Sequence, residues 1–205
     1  MLVEYISSTP DAEQLILYLA RVSSPNNQNS GKTGLLNYCI RNKHWSIFEH
    51  AHLTVSIKTS RAISAQLIRH RSFSFMEFSQ RYAEVGNAIV YPARRQDVNN
   101  RQNSIDNLPK DVSNWFEQVQ NSNIIKSFAL YNQALEKGVA KECARFLLPM
   151  SSETTIYMTG NLRSWIHYLQ LRTSPETQLE HREIAIAVQE IFDLKFPVIG
   201  ESLKN

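Results

Sequence analysis

From Arg69 to Arg81 the chain reads Arg-His-Arg-Ser-Phe-Ser-Phe-Met-Glu-Phe-Ser-Gln-Arg: three guanidinium groups, a histidine, hydroxyls and one carboxylate within thirteen residues. Guanidinium forks grip phosphate or carboxylate with two parallel hydrogen bonds, hydroxyls add donors, and a carboxylate accepts from a ring or ribose. The set therefore suits a phosphate joined to a polar heterocycle. Ser79 and Arg81, two residues apart, share a side if this stretch is extended. An isolated Arg-His-Arg also reads as a solvated helix end whose cations face the helix carbonyls. Ser79 has no GxSxG turn and no paired base in the sequence, so a phosphate-binding hydroxyl is its expected role, not a nucleophile. Cys39 and Cys143 lie far apart without CxxC spacing, and Cys143 is expected to pack on its helix as buried free thiols do. His44, His50 and His52 lack an accompanying acid–histidine pattern, and no metal site is expected.

The elements that must position these groups follow from periodicity. A strand spans roughly Leu2 to Ile6, and Thr9-Pro10-Asp11 opens a helix with Ala12, Leu15, Ile16 and Leu19 on one face. A polar loop covers 23–32, and a short helix runs from about Thr33 to Arg41. Leu53, Val55 and Ile57 alternate with polar residues as a strand, and Ser60 to Ile68 reads as a helix. Arg71 to Tyr82 fits neither template and is left irregular or partly extended. Residues 94–112 are the most polar stretch and read as an exposed loop. A long helix is expected from about Ser113 to Lys137, stopped by Gly138, then a short one from Val139 to Leu147. Thr154 to Met158 reads as a strand, Asn161 to Arg172 as a helix, and Ser174-Pro175-Glu176 opens a last helix to about Leu194. Trp165, four residues before Leu169, is expected in the core. Strands and helices do not alternate as βαβ repeats, and neither GxGxxG nor GxxxxGK[ST] occurs. The fold class is α+β: a single mixed domain over 1–205, an antiparallel sheet packed against several helices, no Rossmann unit.

Composition narrows the partners. The 205 residues, 42% hydrophobic, suffice for one substantial core. The formal charge of +3 demands neither nucleic acid nor membrane, yet the window Arg61–Arg95 holds six arginines, no lysine and only two acids, Glu77 and Glu84. No basic-then-apolar start and no bilayer-length apolar run is present, and two cysteines fit a reducing setting, so a soluble cytoplasmic protein is expected (host cytoplasm if viral).

The spacing of the arginine-rich segment resembles the signature RHRxxSxNExSxR of the flavin-dependent thymidylate synthases. Arg69, His70, Arg71, Ser74, Glu77, Ser79 and Arg81 stand in place. Met76 stands where the family usually has Asn, and methionine offers no amide hydrogen bond. His44-Trp45-Ser46-Ile47-Phe48-Glu49-His50 resembles the family's HxSxxEH element. Glu142-Cys143-Ala144-Arg145 with Leu147-Leu148-Pro149 is similar to its arginine-bearing helix. Asn161-Leu162-Arg163-Ser164-Trp165 with Leu169-Gln170-Leu171-Arg172 is similar to its last active-site helix. The likeness runs from about Leu36 to the C-terminus and is weakest over 83–135.

The resemblance implies reductive methylation of dUMP to dTMP with FAD, 5,10-methylenetetrahydrofolate and NADPH, in a homotetramer with shared active sites. It implies dUMP binding by Gln66, Arg69, Glu77, Ser79, Gln80, Arg81, Arg145 and Arg172. Arg172 is the implied catalytic group: the matching family arginine sits at the uracil and enriches electron density at C5. FAD is implied at Ser46, Arg69, His70, Arg71, Glu77, Asn161, Leu162, Arg163 and His167, where many relatives have Asn at 167. His44 is implied near flavin or folate. The Pro-Cys-His context of conventional thymidylate synthases is absent. A rival reading is a nucleic-acid module using the Arg61–Arg95 patch with Phe73, Phe75, Phe78, Tyr82 and Tyr91 as stacking groups. Its low total charge and interrupting acids count against it.

Overall fold

A computed structural model describes residues 1–204. Its centre is a four-stranded sheet in the order β1-β2-β6-β3, with every pairing antiparallel. The strands are β1 (Leu2–Ser8), β2 (His52–Ser60), β3 (Ser74–Glu77) and β6 (Glu153–Asn161). A separate two-stranded pairing joins β4 (Arg95–Gln96) to β5 (Ser104–Ile105). The helices are α1 (Ala12–Ala20), α2 (Gly34–Arg41), α3 (Arg61–Leu67), α4 (Lys110–Glu136), α5 (Lys141–Ala144), α6 (Leu162–Arg172), α7 (Leu179–Lys195) and α8 (Pro197–Lys204). Short 3-10 turns occupy Pro25–Asn27, Trp45–His50 and Arg145–Leu147. This is the expected α+β architecture, without a parallel βαβ unit among the described residues.

The alternation in β2 decides which face of the sheet is covered. Leu53, Val55 and Ile57 are fully buried, and Val55 pairs across the ladder with Met158, Ile57 with Ile156, both also fully buried. Trp165 and Leu162 of α6 and Val188 and Phe192 of α7 join that core. Each such side chain contributes roughly 1.5–3 kcal/mol by leaving water. The indole N–H of Trp165 donates to the Leu53 carbonyl at 2.9 Å, so the largest core side chain also satisfies its polar atom.

Two caps launch the helices that carry candidate site residues. Ser60 ends β2, and its Oγ accepts from the Ile63 N–H at the start of α3. Asn161 ends β6, and its Oδ1 accepts from the Ser164 N–H at 2.9 Å. Because Ser60 pairs with Glu153 and His52 with Asn161, α3 and α6 leave opposite ends of the sheet. Phe73 anchors the arginine-rich segment between them. Its ring sits over Gly160, where a Cβ would approach ring carbons to 2.5 Å, so only glycine admits this contact. At the end of α4, Gly138 has φ +80, and Gly138 and Val139 donate to the carbonyls of Leu135 and Ala134. That is a Schellman stop, which requires the left-handed residue.

Several local expectations change. Thr9 does not open α1; its N–H and Oγ1 both bind the His52 backbone, and Asp11 takes the cap position at φ 46 without a side-chain bond. The Arg71–Tyr82 stretch contains edge strand β3, which borrows ladder bonds from β6 despite its mixed composition. Ser79 and Arg81 are not extended: the N–H groups of Tyr82 and Ala83 return to the Ser79 carbonyl, making a turn. The last long helix begins at Leu179 rather than near Ser174, and α8 follows it. Helix α4 starts three residues early, at Lys110 after Pro109. Cys143 is exposed, not packed on its helix.

Candidate functional site

Arg172, the last residue of α6, points its Nε–H at His70 Nε2, 2.9 Å away. A ring nitrogen that accepts carries no proton, so neutral His70 holds its hydrogen on Nδ1. Burial, then the charges of Arg172 and His167, lower its pKa to about 4. Tyr168 packs edge-on against the same ring at 4.9 Å. His181, on α7, is fully buried, and burial followed by Arg172 and His70 lowers its pKa to about 3. Its Nε2 lies 3.1 Å from the Tyr168 hydroxyl and its Nδ1 lies 3.3 Å from Gln66 Oε1. Burial raises the Tyr168 phenol above its ordinary range. The arginine is thus held through Nε by one neutral acceptor, His70, among the described residues.

Gln66 belongs to a longer polar chain. Its Nε2 donates to Gln178 Oε1 at 2.5 Å, and Gln178 Nε2 donates to Glu180 Oε2 at 2.8 Å. Arg94 Nη2 reaches the other Glu180 oxygen at 2.5 Å, and Arg94 Nε donates to Ser104 Oγ at 2.9 Å. Burial pushes the Glu180 carboxyl up, but hydrogen bonds from Arg94 and Gln178 outweigh it and leave the group below its ordinary value.

A second cluster surrounds Glu142. Arg81 binds Glu142 Oε2 through Nε and Nη2, each at 3.1 Å, and Arg145 Nε donates to the Glu142 carbonyl at 3.2 Å. The expected pair Arg81 and Arg145 is therefore brought together. Ser79 Oγ accepts only weakly from the Arg81 N–H, at 3.4 Å. Gln80 is buried, and its Nε2 has no partner among the described residues. Glu77 is occupied by its own fold: Ser64 Oγ at 2.6 Å, Thr154 Oγ1 at 3.0 Å and the Arg61 guanidinium all bind Oε1. That carboxylate locks α3 to the β3 edge. Met76, at the position where an amide was expected, is 72% exposed.

A third region is a cleft of about 630 Å³ along α6, lined by Trp45, Ser72, Asn161, Arg163, His167 and Gln170 among others. Residues 163, 167 and 170 recur at helical spacing and share one face. Arg163 also pairs with Glu49. Leu162, in contrast, has its side chain fully buried in the core, so any ligand contact from it comes through the backbone. Arg69 and Arg71 are exposed and line another cavity of about 630 Å³ with Phe73 and Phe75. Ser46 and His44 are exposed beside Trp45, and His44 meets the Tyr38 ring edge-on at 5.7 Å. Trp45 supplies an aromatic surface, and Asn161 Nδ2, Arg163 and His167 supply donors. That set fits the flat ring system and pyrophosphate of a flavin dinucleotide.

Sequence reasoning missed Arg94, Gln178, Glu180, His181 and Tyr168. Arg94 lies in the stretch read as exposed loop, yet its side chain retains only 12% of its accessible surface. The acid–histidine pair opening an apolar helix face was the available signal: Glu180 and His181 precede Ile184, Ala185 and Val188 at helical spacing, all buried.

Known proteins resemble the chain in family and in fold. The family model described as thymidylate synthase complementing protein matches residues 4–198. The probable flavin-dependent thymidylate synthase of Paramecium bursaria Chlorella virus 1 is 57% identical over 195 residues, covering 94% of this chain and 90% of that protein. The flavin-dependent thymidylate synthase of Synechocystis sp. is 53% identical over 192 residues, covering 94% and 89%. The crystal structure of the UMP/dUMP methylase PolB from Streptomyces cacaoi, bound with 5-Br dUMP, superposes with a TM-score of 0.88 at 28% identity, over 99% of this chain and 94% of that one.

Proposed function

The chain belongs to the thymidylate synthase complementing protein family, the flavin-dependent thymidylate synthases, and on that premise we propose how its residues divide the reaction. It is a flavin-dependent thymidylate synthase, a methyltransferase that acts on dUMP, and its flavin is FAD. In our reading 5,10-methylenetetrahydrofolate donates the carbon, NADPH reduces the flavin, and dTMP is the product. The working unit is a homotetramer of single-domain chains with shared active sites. Helix α4 supports this assembly: of its 27 residues only Tyr131 is buried, while Trp115 is 60% and Ile125 71% exposed. No helix of the described residues is long and apolar enough to cross a membrane, and the cytoplasm, or host cytoplasm, is the proposed setting.

The observation that carries the catalytic assignment is the 2.9 Å bond from Arg172 to His70. With Nε committed to the histidine, the terminal nitrogens of Arg172 remain to face the uracil. C5 of uracil is a weak nucleophile, and a fixed cation beside N3 stabilises the negative charge that enriches it. Gln66 and Arg69 face dUMP from the end of α3. Arg81 and Arg145, with Ser79 and Gln80, hold its phosphate and sugar, and Glu77 fixes the strand from which they turn. Asn161, Arg163, His167, Ser46 and the Arg69–Arg71 pair hold FAD, with Leu162 contributing backbone and His44 lying toward flavin or folate. Bound FAD supplies the reducing equivalents that complete the methyl group.

The test is direct. Purified protein is expected to turn yellow with FAD and to convert dUMP to dTMP only when FAD, NADPH and the methylene donor are all present. Absence of flavin uptake together with strongly salt-dependent DNA binding would support the nucleic-acid module instead.

A further inference from the structure

We propose that the Arg94–Glu180 ion pair is a positioning device for the nucleotide site, fixing which edge of Gln66 is offered to the pyrimidine. The inference rests on the reading that Gln66 faces dUMP. Its basis is the directionality of the bonds. An ionised carboxylate only accepts, so Glu180 forces Gln178 to turn its NH₂ inward and its carbonyl outward. That carbonyl accepts from Gln66 Nε2 at 2.5 Å. Gln66 is thereby obliged to turn its own Oε1 toward His181 Nδ1, 3.3 Å away. Neutral His181 then donates from Nδ1 and accepts the Tyr168 hydroxyl at Nε2. Each amide in the row has one allowed orientation because the row ends on a negative charge.

Arg94 keeps that end negative. Its guanidinium and the Glu180 carboxylate retain 12% and 5% of their side-chain surface, a location where an unpaired carboxylate takes up a proton and becomes a donor. A protonated or amide group at 180 no longer dictates the sense of Gln178, and Gln66 is then free to present either edge. Arg94 bonds Ser104 and Glu180 rather than Gln66 or Arg172; it acts through Glu180 and Gln178. The stretch 94–104, tied down by Arg94 to Ser104 and by the β4–β5 pairing, thus reaches the nucleotide site without lining it.

The experiment uses the FAD-loaded enzyme and measures KM for dUMP, kcat at saturating dUMP, flavin absorbance and thermal midpoint. Glu180→Gln keeps the shape and loses the acceptor-only character. It is expected to raise KM for dUMP about tenfold, the worth of one hydrogen bond, with kcat changed by less than about twofold and the flavin spectrum unchanged. Arg94→Lys, which keeps a cation, is expected to fall between wild type and Arg94→Met. In a Gln66→Ala background, Glu180→Gln is expected to add less than about twofold, because the group it orients is gone. Independent, multiplying effects of the two substitutions overturn the proposal, as does a Glu180→Gln variant that lowers only the thermal midpoint. If Gln66→Ala alone leaves KM for dUMP unchanged, the reading of Gln66 fails and the proposal falls with it. If Glu180→Gln does not fold, the Arg94→Met and Gln66→Ala pair reads the same coupling.

Discussion

The Arg172 region and the Glu142 region both display arginines, but they spend them differently. Around Arg172, on α6 and α7, the fold supplies neutral partners: His70 accepts from Arg172, Tyr168 and His181 are fully buried, and both imidazole pKa values are depressed. Around Glu142, the Arg81–Glu142 pair is half exposed, at 53% and 52% of side-chain surface, and Arg145 donates to a backbone carbonyl and lies over the Phe146 ring. The first arrangement fixes the direction of one cation. The second holds cations in water, where an exposed ion pair is worth little and is readily exchanged for a phosphate. In the proposed reading, orientation and attraction fall to separate places in the same chain.

Substitutions that separate fold from binding sharpen this contrast. The largest expected effect is structural: Trp165→Ala should cost about 3–5 kcal/mol in urea unfolding, because a fully buried indole and its bond to Leu53 are lost together. Next, Arg81→Ala and Arg145→Ala should each weaken dUMP binding by calorimetry about 10- to 100-fold, the range for a charged hydrogen bond, while shifting stability by under about 1 kcal/mol. A stability loss well beyond that figure would break the comparison, since it would make the Glu142 region a structural one.

Acid titration probes the buried side. His70 and His181 have folded pKa values of about 4 and about 3, below the ordinary 6.5. Between those values the unfolded chain binds more protons, so stability rises with pH. The contribution is fully present above about pH 6.5 and is lost as pH falls toward 4 and then 3. The charges facing these rings are Arg172, His167 and each other. Urea midpoints measured from pH 7 to pH 4 should therefore fall less steeply in His181→Gln than in wild type; equal slopes would remove the assignment of neutral, buried imidazole. The smallest expected effect is Ser79→Ala, a rise of a few-fold in KM for dUMP with turnover retained. Complete loss of turnover at unchanged nucleotide affinity would revive a nucleophilic serine.

What could be read beforehand follows from range along the chain. The alternation of Leu53, Val55 and Ile57 is local and marks a strand whose inward residues are all fully buried. The Asn161 cap and the Gly138 stop are also local and set helix ends. The spacing of the arginine-rich segment, with the three motifs around His44–His50, Glu142–Pro149 and Asn161–Arg172, carried the family resemblance. Strand β3 was legible only as a partly extended stretch, because its ladder partner, Tyr157 opposite Met76, is remote in sequence. The Arg94–Glu180 bond spans 86 positions, and nothing within the polar stretch 94–112 distinguishes a buried arginine from a solvated one. Leu162 illustrates the converse: its motif position was evident, but only the packing shows its side chain turned into the core.

The proposed mechanism requires Arg172 to act on an oriented uracil. Tritium release from C5-labelled dUMP should be followed in wild type and Arg172→Ala, with the methylene donor and NADPH present and flavin content matched by absorbance. Arg172→Ala is expected to retain FAD and lose release by about 10²- to 10³-fold, the usual loss when one preorganised stabilising group is removed. Release at near wild-type rate from the flavin-loaded variant would contradict it.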